Sequence, residues 1–297
     1  VVPALVLLVG MCFVPETPRW LLSKGRLKEC RKVLQKIEPE NTVNDLIGQM
    51  EVEIEKDRNS AVGWRYLMQP WLRTPLMIAV CIMFFQQFVG INTVIYYSPK
   101  IFLMAGFEST LSAIWASVGI GIVNVVFTVI SLYLVDRIGR RKLYFIGLSG
   151  IAFSVLCLSA CFIYANQLGE IGRWLMVIFM FGYVAFFAIS IGPLGWLVIS
   201  EIFPQKVRGL GTSIGSLAVW IFNCIVSFTF FKIIDFFSIP GTEIVVGQTT
   251  SENPAGAFFL YGFIAVLGLV WGYLFLPETK GLSLEEIEQK WRKNREC

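Results

Sequence analysis

Gln86, Gln87 and Asn92 fall inside the stretch QQFVGIN, within a run from Leu76 to Ser98 that is otherwise apolar. A carboxamide carries two N–H donors and one acceptor oxygen without net charge. Three of them together match a neutral, hydroxyl-rich ligand such as a sugar or polyol better than an ion. On an ideal helix at about 100° per residue, Gln86, Thr93 and Tyr97 share a stripe, while Asn92 and Tyr96 lie about 80–100° away from it. Gly90 lies between the two sets and offers a place for the helix to unwind and bring them together.

Further along, SIGPLGWLVISEIFP holds Pro193 between Gly192 and Gly195. Proline deletes one backbone donor and the glycines loosen the adjoining turns, so a hinge is expected here. Trp196 follows at a depth suited to stacking on a sugar ring. Two other polar stripes carry amides. Ser117, Asn124, Thr128 and Ser131 lie within about 60° of one another, and Ser213, Ser216, Trp220, Asn223 and Ser227 within about 80°. Such stripes face neighbouring helices or a wet cavity, because polar groups are costly in hydrocarbon. For Ser and Thr alone, interhelical hydrogen bonding is the simpler explanation.

These residues sit in a chain built to span lipid. Of 297 residues, 56% are hydrophobic and 15% charged, and mean hydropathy is +0.67, outside the usual soluble range. Stretches of about 20 apolar residues can cross a bilayer. Six occur, near 76–98, 111–135, 143–165, 174–199, 210–234 and 256–276. The apolar start, 1–14, is too short to span and is read as the second half of a span whose first half is missing, which the resemblance given below would make the end of a sixth helix. The chain is therefore expected to be a fragment or a mature product, such as the carboxyl half of something longer. Residues 15–72 are expected to form a cytoplasmic linker with intracellular helices. Leu27, Cys30, Leu34 and Ile37 mark one helix there, and Leu46, Ile47, Met50 and Ile54 mark a second over about 43–57. Residues 277–297 form a tail.

Twenty-two of the 25 Lys and Arg residues fall in the amino-terminal segment, in alternate connections or in the tail, leaving only Lys100, Arg173 and Lys232 on the other side. By the positive-inside rule, both ends are cytoplasmic. Topology therefore accounts for the net charge of +4 without nucleic acid. The seven cysteines show no metal or disulfide spacing, and the absence of His excludes His-based catalysis and ligation. No nucleophile–base set is visible, and no cofactor is expected.

Five motifs, PETPRWLLSKGR, QQFVGINTVIYYSP, DRIGRRKL, GPLGWLVISEIFPQKVRG and PETKG, stand in an order that resembles the sugar porter family of the major facilitator superfamily. The resemblance implies an all-α polytopic fold, of which this chain would supply the second six-helix bundle, helices seven to twelve. It also implies that Gln86, Gln87, Asn92, Asn124, Trp196, Trp220 and Asn223 bind the sugar, with Tyr96 and Tyr97 at the site or its outer gate. Val219 stands where members often place Asn or Gln. Ala188 replaces the acidic residue of animal facilitators, as in bacterial symporters. Glu16, Arg19, Asp136, Arg140, Glu201, Arg208 and Glu278 are expected to pair across the cytoplasmic ends, with Glu201 facing Arg208. The function implied is alternating-access transport of a monosaccharide or polyol across the plasma membrane (the inner membrane in a bacterium). The proton is the expected coupling ion. Facilitated uniport stays open, because no membrane-embedded carboxylate is visible in these six spans, and a non-transporting sugar sensor is a further alternative. Lacking one wall of the cavity, the isolated chain is expected to be inactive.

Overall fold

The computed structural model describes residues 2–59, 64–107, 109–204, 207–238, 244–246, 249–251, 253–281 and 291. Lys206 and the tail beyond Gly281, apart from Trp291, lie outside the described residues. The chain divides into two compact units, 1–63 and 64–297.

In the first unit, α1 (Val2–Phe13) is followed by α2 (Pro18–Ser23), α3 (Leu27–Leu34) and α4 (Glu40–Asn59). Thr17 caps α2 by accepting from the Trp20 N–H, with Pro18 at the first helical position, where no donor is needed. Leu21, Cys30, Leu34, Val43 and Ile47 form a small core. Ile37, read from the sequence as part of the apolar face, lies beyond the end of α3 and is exposed. Burial pushes the Cys30 thiol above its ordinary value.

The second unit opens with α5 (Trp64–Leu67) and a 3-10 turn (Pro70–Leu72). Then come α6 (Arg73–Phe88), α7 (Ile91–Met104), α8 (Thr110–Ile138), α9 (Arg140–Ile163), α10 (Ala165–Ile189), α11 (Ile191–Ile202), α12 (Arg208–Phe236) and α13 (Ala255–Phe275). Between α12 and α13 lies a short antiparallel hairpin, β1 (Ile244–Val246) and β2 (Thr249–Ser251), which the apolar periodicity did not reveal. Six segments are long and apolar enough to cross a membrane: 70–104, 110–138, 140–163, 165–202, 208–236 and 255–275. The first contains α6 and α7, joined at a break, and the fourth contains α10 and α11, joined at a second, with a further non-helical residue, Gly169 (φ 53°), near the start of α10.

At the first break Gly90 adopts φ 87°, the left-handed region that costs a side chain dearly. Two hydroxyls donate to carbonyls at this break. Tyr183 Oη donates to Val89 O at 2.7 Å, and Thr93 Oγ1 donates to Gly90 O at 2.6 Å. The Tyr261 ring packs where a Gly90 Cβ would stand.

The second break comes earlier than the sequence suggested. Ser190 leaves helical geometry (φ −124°, ψ −100°), and Gly192, Pro193 and Gly195 all lie inside α11. Pro193 occupies the first turn of the new helix, where a missing N–H is tolerated. The carbonyl that this N–H would have satisfied four residues back, Ile189 O, accepts from Ser131 Oγ of α8 at 2.8 Å. Ser190 Oγ turns back onto Phe186 O at 2.7 Å.

Gly90→Ala is expected to lower unfolding stability by about 1–3 kcal/mol from backbone strain, before the clash with Tyr261 is counted. Gly121→Ala, where a Cβ meets nothing within 4 Å, is expected to change it by less than about 0.5 kcal/mol. Thermal melts of the detergent-solubilised proteins compare the two.

Candidate functional site

A cavity of about 360 Å³ opens on one side of the six-span bundle, within the roughly 300–1,000 Å³ of small-molecule pockets. Eight of the nine residues expected from the sequence to bind sugar line it: Gln86, Gln87, Asn92, Tyr96, Asn124, Trp196, Trp220 and Asn223. They come from α6, α7, α8, α11 and α12, so the two breaks and the two polar stripes converge. Thr128, Phe187, Ala188 and Val219 complete much of the wall, and no charged side chain is among the described lining residues. The ninth residue, Tyr97, is placed elsewhere. It stacks on Phe230 at 5.5 Å, meets Phe231 edge-on, and donates to Ser227 O at 3.3 Å.

The amides are ordered before any ligand arrives. Gln86 Nε2 donates to Ile191 O at 3.0 Å and Gly192 O at 2.7 Å, the first carbonyls after the second break. Gln87 Nε2 donates to Gln86 Oε1 at 3.3 Å, and Asn92 Nδ2 donates to Gln87 Oε1. Asn223 Nδ2 donates to Tyr96 Oη at 3.3 Å, and Asn223 Oδ1 accepts from Ser227 Oγ at 3.1 Å. Gly195 lets α11 approach α6, since a Cβ there would stand 2.9 Å from Gln86 Nε2. Trp196 and Trp220 are 46% and 65% exposed, so their ring faces remain available for stacking. Most other hydroxyls of the two stripes bond within their own helix, where the sequence had suggested bonds between helices; Ser131 alone among them bonds across, to α10. Ser117, Thr128, Ser213 and Ser216 each donate to the carbonyl four residues back.

The charged motifs gather at the helix ends away from the hairpin. Arg140 Nη2 meets Glu201 Oε1 at 2.9 Å and Nη1 meets Asp136 Oδ1 at 3.5 Å. The sequence pairing of Glu201 with Arg208 is corrected. Glu201 is engaged by Arg140 and by the Thr279 hydroxyl, while Arg208 Nε and Nη2 are shut from solvent without a hydrogen-bond partner among the described residues. Glu278 caps α9, accepting from the N–H groups of Arg140 at 3.0 Å and Arg141 at 3.2 Å. The local N-cap, Gly139, has no side chain to do so. In the first unit, Glu16 acts electrostatically on Arg26, whose principal partner is Glu29.

A second hollow of about 400 Å³ lies where α8 and α10 begin, lined by Phe107, Ser109, Ser112, Glu170, Arg173 and Trp174. It contains both signs of charge and none of the amides.

The profile of the family described as "Sugar (and other) transporter" matches residues 1–291. The chain belongs to this family. Sugar (and other) transporter proteins are carriers, not enzymes, and among the relatives of this member is the D-xylose-proton symporter of Escherichia coli, 34% identical over 98% of this chain and 55% of the relative. A glucose transporter of Staphylococcus epidermidis is 36% identical over 98% of this chain and 61% of its own length. A probable polyol transporter of Arabidopsis thaliana is 33% identical over 97% and 58%. The chain thus spans less than two-thirds of these relatives. The major facilitator proton:xylose symporter XylE, solved with 6-bromo-6-deoxy-D-glucose, superposes with a TM-score of 0.70 at 33% identity, covering 98% of this chain and 57% of that one. Its inward-open form gives 0.72 at 30% identity, covering 98% and 55%. The fold is that of a multi-pass major facilitator bundle.

Among the residues that the sequence reading left out of the site, Tyr183, Tyr261 and Ser131 hold the breaks open. Only tertiary contact identifies them. Glu278→Ala removes the α9 cap and is expected to cost about 0.5–2 kcal/mol, with Glu278→Gln losing less because one acceptor oxygen remains. Chemical unfolding monitored at the tryptophans measures both.

Proposed function

We propose that this chain forms the sugar-binding half of an alternating-access carrier for monosaccharides or polyols. The observation that carries the reading is the convergence of eight amide, phenol and indole side chains from five helices on one uncharged cavity. Carboxamides supply donors and acceptors together, as hydroxyl-rich rings require, and the two indoles supply stacking faces. An ionic substrate would need a compensating charge, and the described lining residues offer none. Names of the relatives, a xylose symporter, a glucose transporter and a polyol transporter, support the same substrate class.

Here Gln87, Asn92, Tyr96, Asn124, Trp196, Trp220 and Asn223 contact the substrate, and Tyr97 braces α7 against α12 beside them. A second six-helix bundle closes the cavity and covers the polar stripes of α8 and α12. It also provides a partner for the Arg208 guanidinium. Asp136, Arg140, Glu201 and Glu278 act as a latch at the cytoplasmic ends, together with Glu16 and Arg19, and bias a two-state equilibrium of a few kcal/mol. Residues 15–72 form the intracellular segment, and both ends of the chain face the cytoplasm of a cell whose plasma membrane holds the carrier. Proton symport is the favoured coupling, on the precedent of the xylose relative. Alone, the six-span chain has one wall of the pathway and moves no sugar.

The test is uptake of radiolabelled xylose, glucose and inositol into vesicles containing the complete carrier, with and without an imposed proton gradient. Accumulation that needs the gradient is the expected result, and Gln87→Ala or Asn223→Ala lowers kcat/KM at least about tenfold, equivalent to about 1.4 kcal/mol. Equilibration without the gradient would replace symport by uniport, and unimpaired variants would remove the amide site.

A further inference from the structure

Lys24, Lys28, Lys32 and Lys36 recur every fourth residue in the first unit, and all four are exposed. Lys24 stands at the end of α2, Lys28 and Lys32 lie one turn apart on α3, and Lys36 follows its last turn. At about 100° per residue, Lys28 and Lys32 face away from Cys30 and Leu34, the residues by which α3 enters the small core. The core therefore leaves this basic face uncovered.

The arginines of the same stretch are occupied. Arg26 pairs with Glu29 at 2.6 Å and lies over the Trp20 ring, and Arg31 donates to Asn44 of α4. The four lysines have no side-chain hydrogen bond or ion pair with any described residue, although α4 of the same unit carries Glu40, Asp45, Glu51 and Glu55. Like charges one turn apart repel, so the spacing costs α3 stability that anions from outside the unit would return. The positive-inside rule accounts for the number of lysines here, though not for their alignment on one unpaired face.

Apolar side chains are interleaved with the charges. Leu27 beside Lys28 is 45% exposed, and Ile37 beside Lys36 is 69% exposed. Phosphates at a lipid surface can meet the ammonium groups while the layer just beneath accepts the apolar neighbours. The apolar helix α1 ends at Phe13, so only a short stretch of chain separates it from the first of these lysines.

We propose that Lys24, Lys28, Lys32 and Lys36, flanked by Leu27 and Ile37, form a docking face for anionic phospholipid headgroups. Docking needs the membrane setting of the proposed carrier and nothing of its substrate or its amide cavity.

The test is backbone hydrogen exchange across 20–37, read by mass spectrometry at low salt, with the complete carrier in nanodiscs of phosphatidylcholine alone or mixed equally with phosphatidylglycerol. Exchange there is expected to be at least fivefold slower with phosphatidylglycerol, while α9 stays within twofold. The slowing should vanish near 1 M salt, where the Debye length falls to about 3 Å, and in a variant carrying Lys24→Gln, Lys28→Gln, Lys32→Gln and Lys36→Gln together. Arginine at the same four positions keeps the charge and should keep the slowing. Equal exchange in the two lipids overturns the proposal, as does slowing that survives either high salt or the glutamines. Protection already complete in phosphatidylcholine would mean that the carrier's own chain covers the face, and overturns it too. If the glutamine variant does not fold, the lipid and salt comparisons on the parent decide. Nanodiscs present the same lipid on both faces, so the outcome is independent of which end of the carrier is cytoplasmic. A parent that moves no sugar would end the proposed function and leave the exchange comparison intact.

Discussion

Hydrocarbon offers the backbone no hydrogen bonds, and every carbonyl released where a spanning helix breaks must find a donor inside the protein. Two of its six spans are broken where the cavity lies, and donors at the breaks can be named. Tyr183 serves Val89, Ser131 serves Ile189 and Ser190 serves Phe186, while Thr93 adds a bond to Gly90 O, which already accepts backbone N–H groups, and Gln86 adds bonds to Ile191 O and Gly192 O in the first turn of α11. Pro99, within α7, follows the same rule in milder form, with Ser98 Oγ reaching Ile95 O at 3.5 Å. A polar side chain buried in such a bundle is thus committed first to the backbone. What it can offer a ligand is the remainder.

That ordering explains why the cavity is rich in amides. A hydroxyl donates one hydrogen, so it can complete one carbonyl and then has only acceptor capacity for anything else. A carboxamide donates two and accepts as well, so it can complete a break and still pass polarity onward. Gln87 and Asn92 each keep one N–H after the hydrogen bonds they donate to Gln86 and Gln87, and Asn124 makes no side-chain hydrogen bond to the described residues. Ile91, Phe187, Ala188 and Val219 give the cavity apolar walls between these amides. The uncharged lining is consistent with this economy, because a buried charge would need a partner of its own and would dominate any neutral ligand.

Much of this could be read from the chain before any coordinates, though unevenly. Composition and the spread of Lys and Arg were enough for the six spans. Gly90 was legible as a break because only glycine accepts its φ, and the amides flanking it told what the break would expose. Ser190 was not legible. The sequence pointed to Pro193, but proline at a helix start is comfortable, and the disruption falls on the residues just before it. The cap of α9 was equally hidden, since Glu278 lies 138 residues from Arg140 along the chain. The same holds for Arg140 and Glu201, two members of the right set whose pairing depends on how α8, α9 and α11 meet. Tyr97 shows the reverse relation between motif and packing. Its motif suggested a place at the site or its outer gate, while the ring packs on Phe230 and Phe231 and is not among the described lining residues of the cavity.

The breaks also divide each span between different neighbours. Below Gly90, α6 packs on α11 and α12, whereas α7 above it packs on α8 as well as α12. Above Ser190, α10 packs on α8 and α9, whereas α11 below it packs on α6 and α12 as well as α9. A continuous helix would force both ends of a span to move with one set of partners. A broken one lets its two ends follow different partners, provided the break itself keeps its hydrogen bonds. Tyr183 on α10 and Ser131 on α8 reach these junctions from neighbouring helices, so each break is hydrogen-bonded within the protein. The cavity lies at those junctions, so whatever fills it touches the points about which the two ends would move.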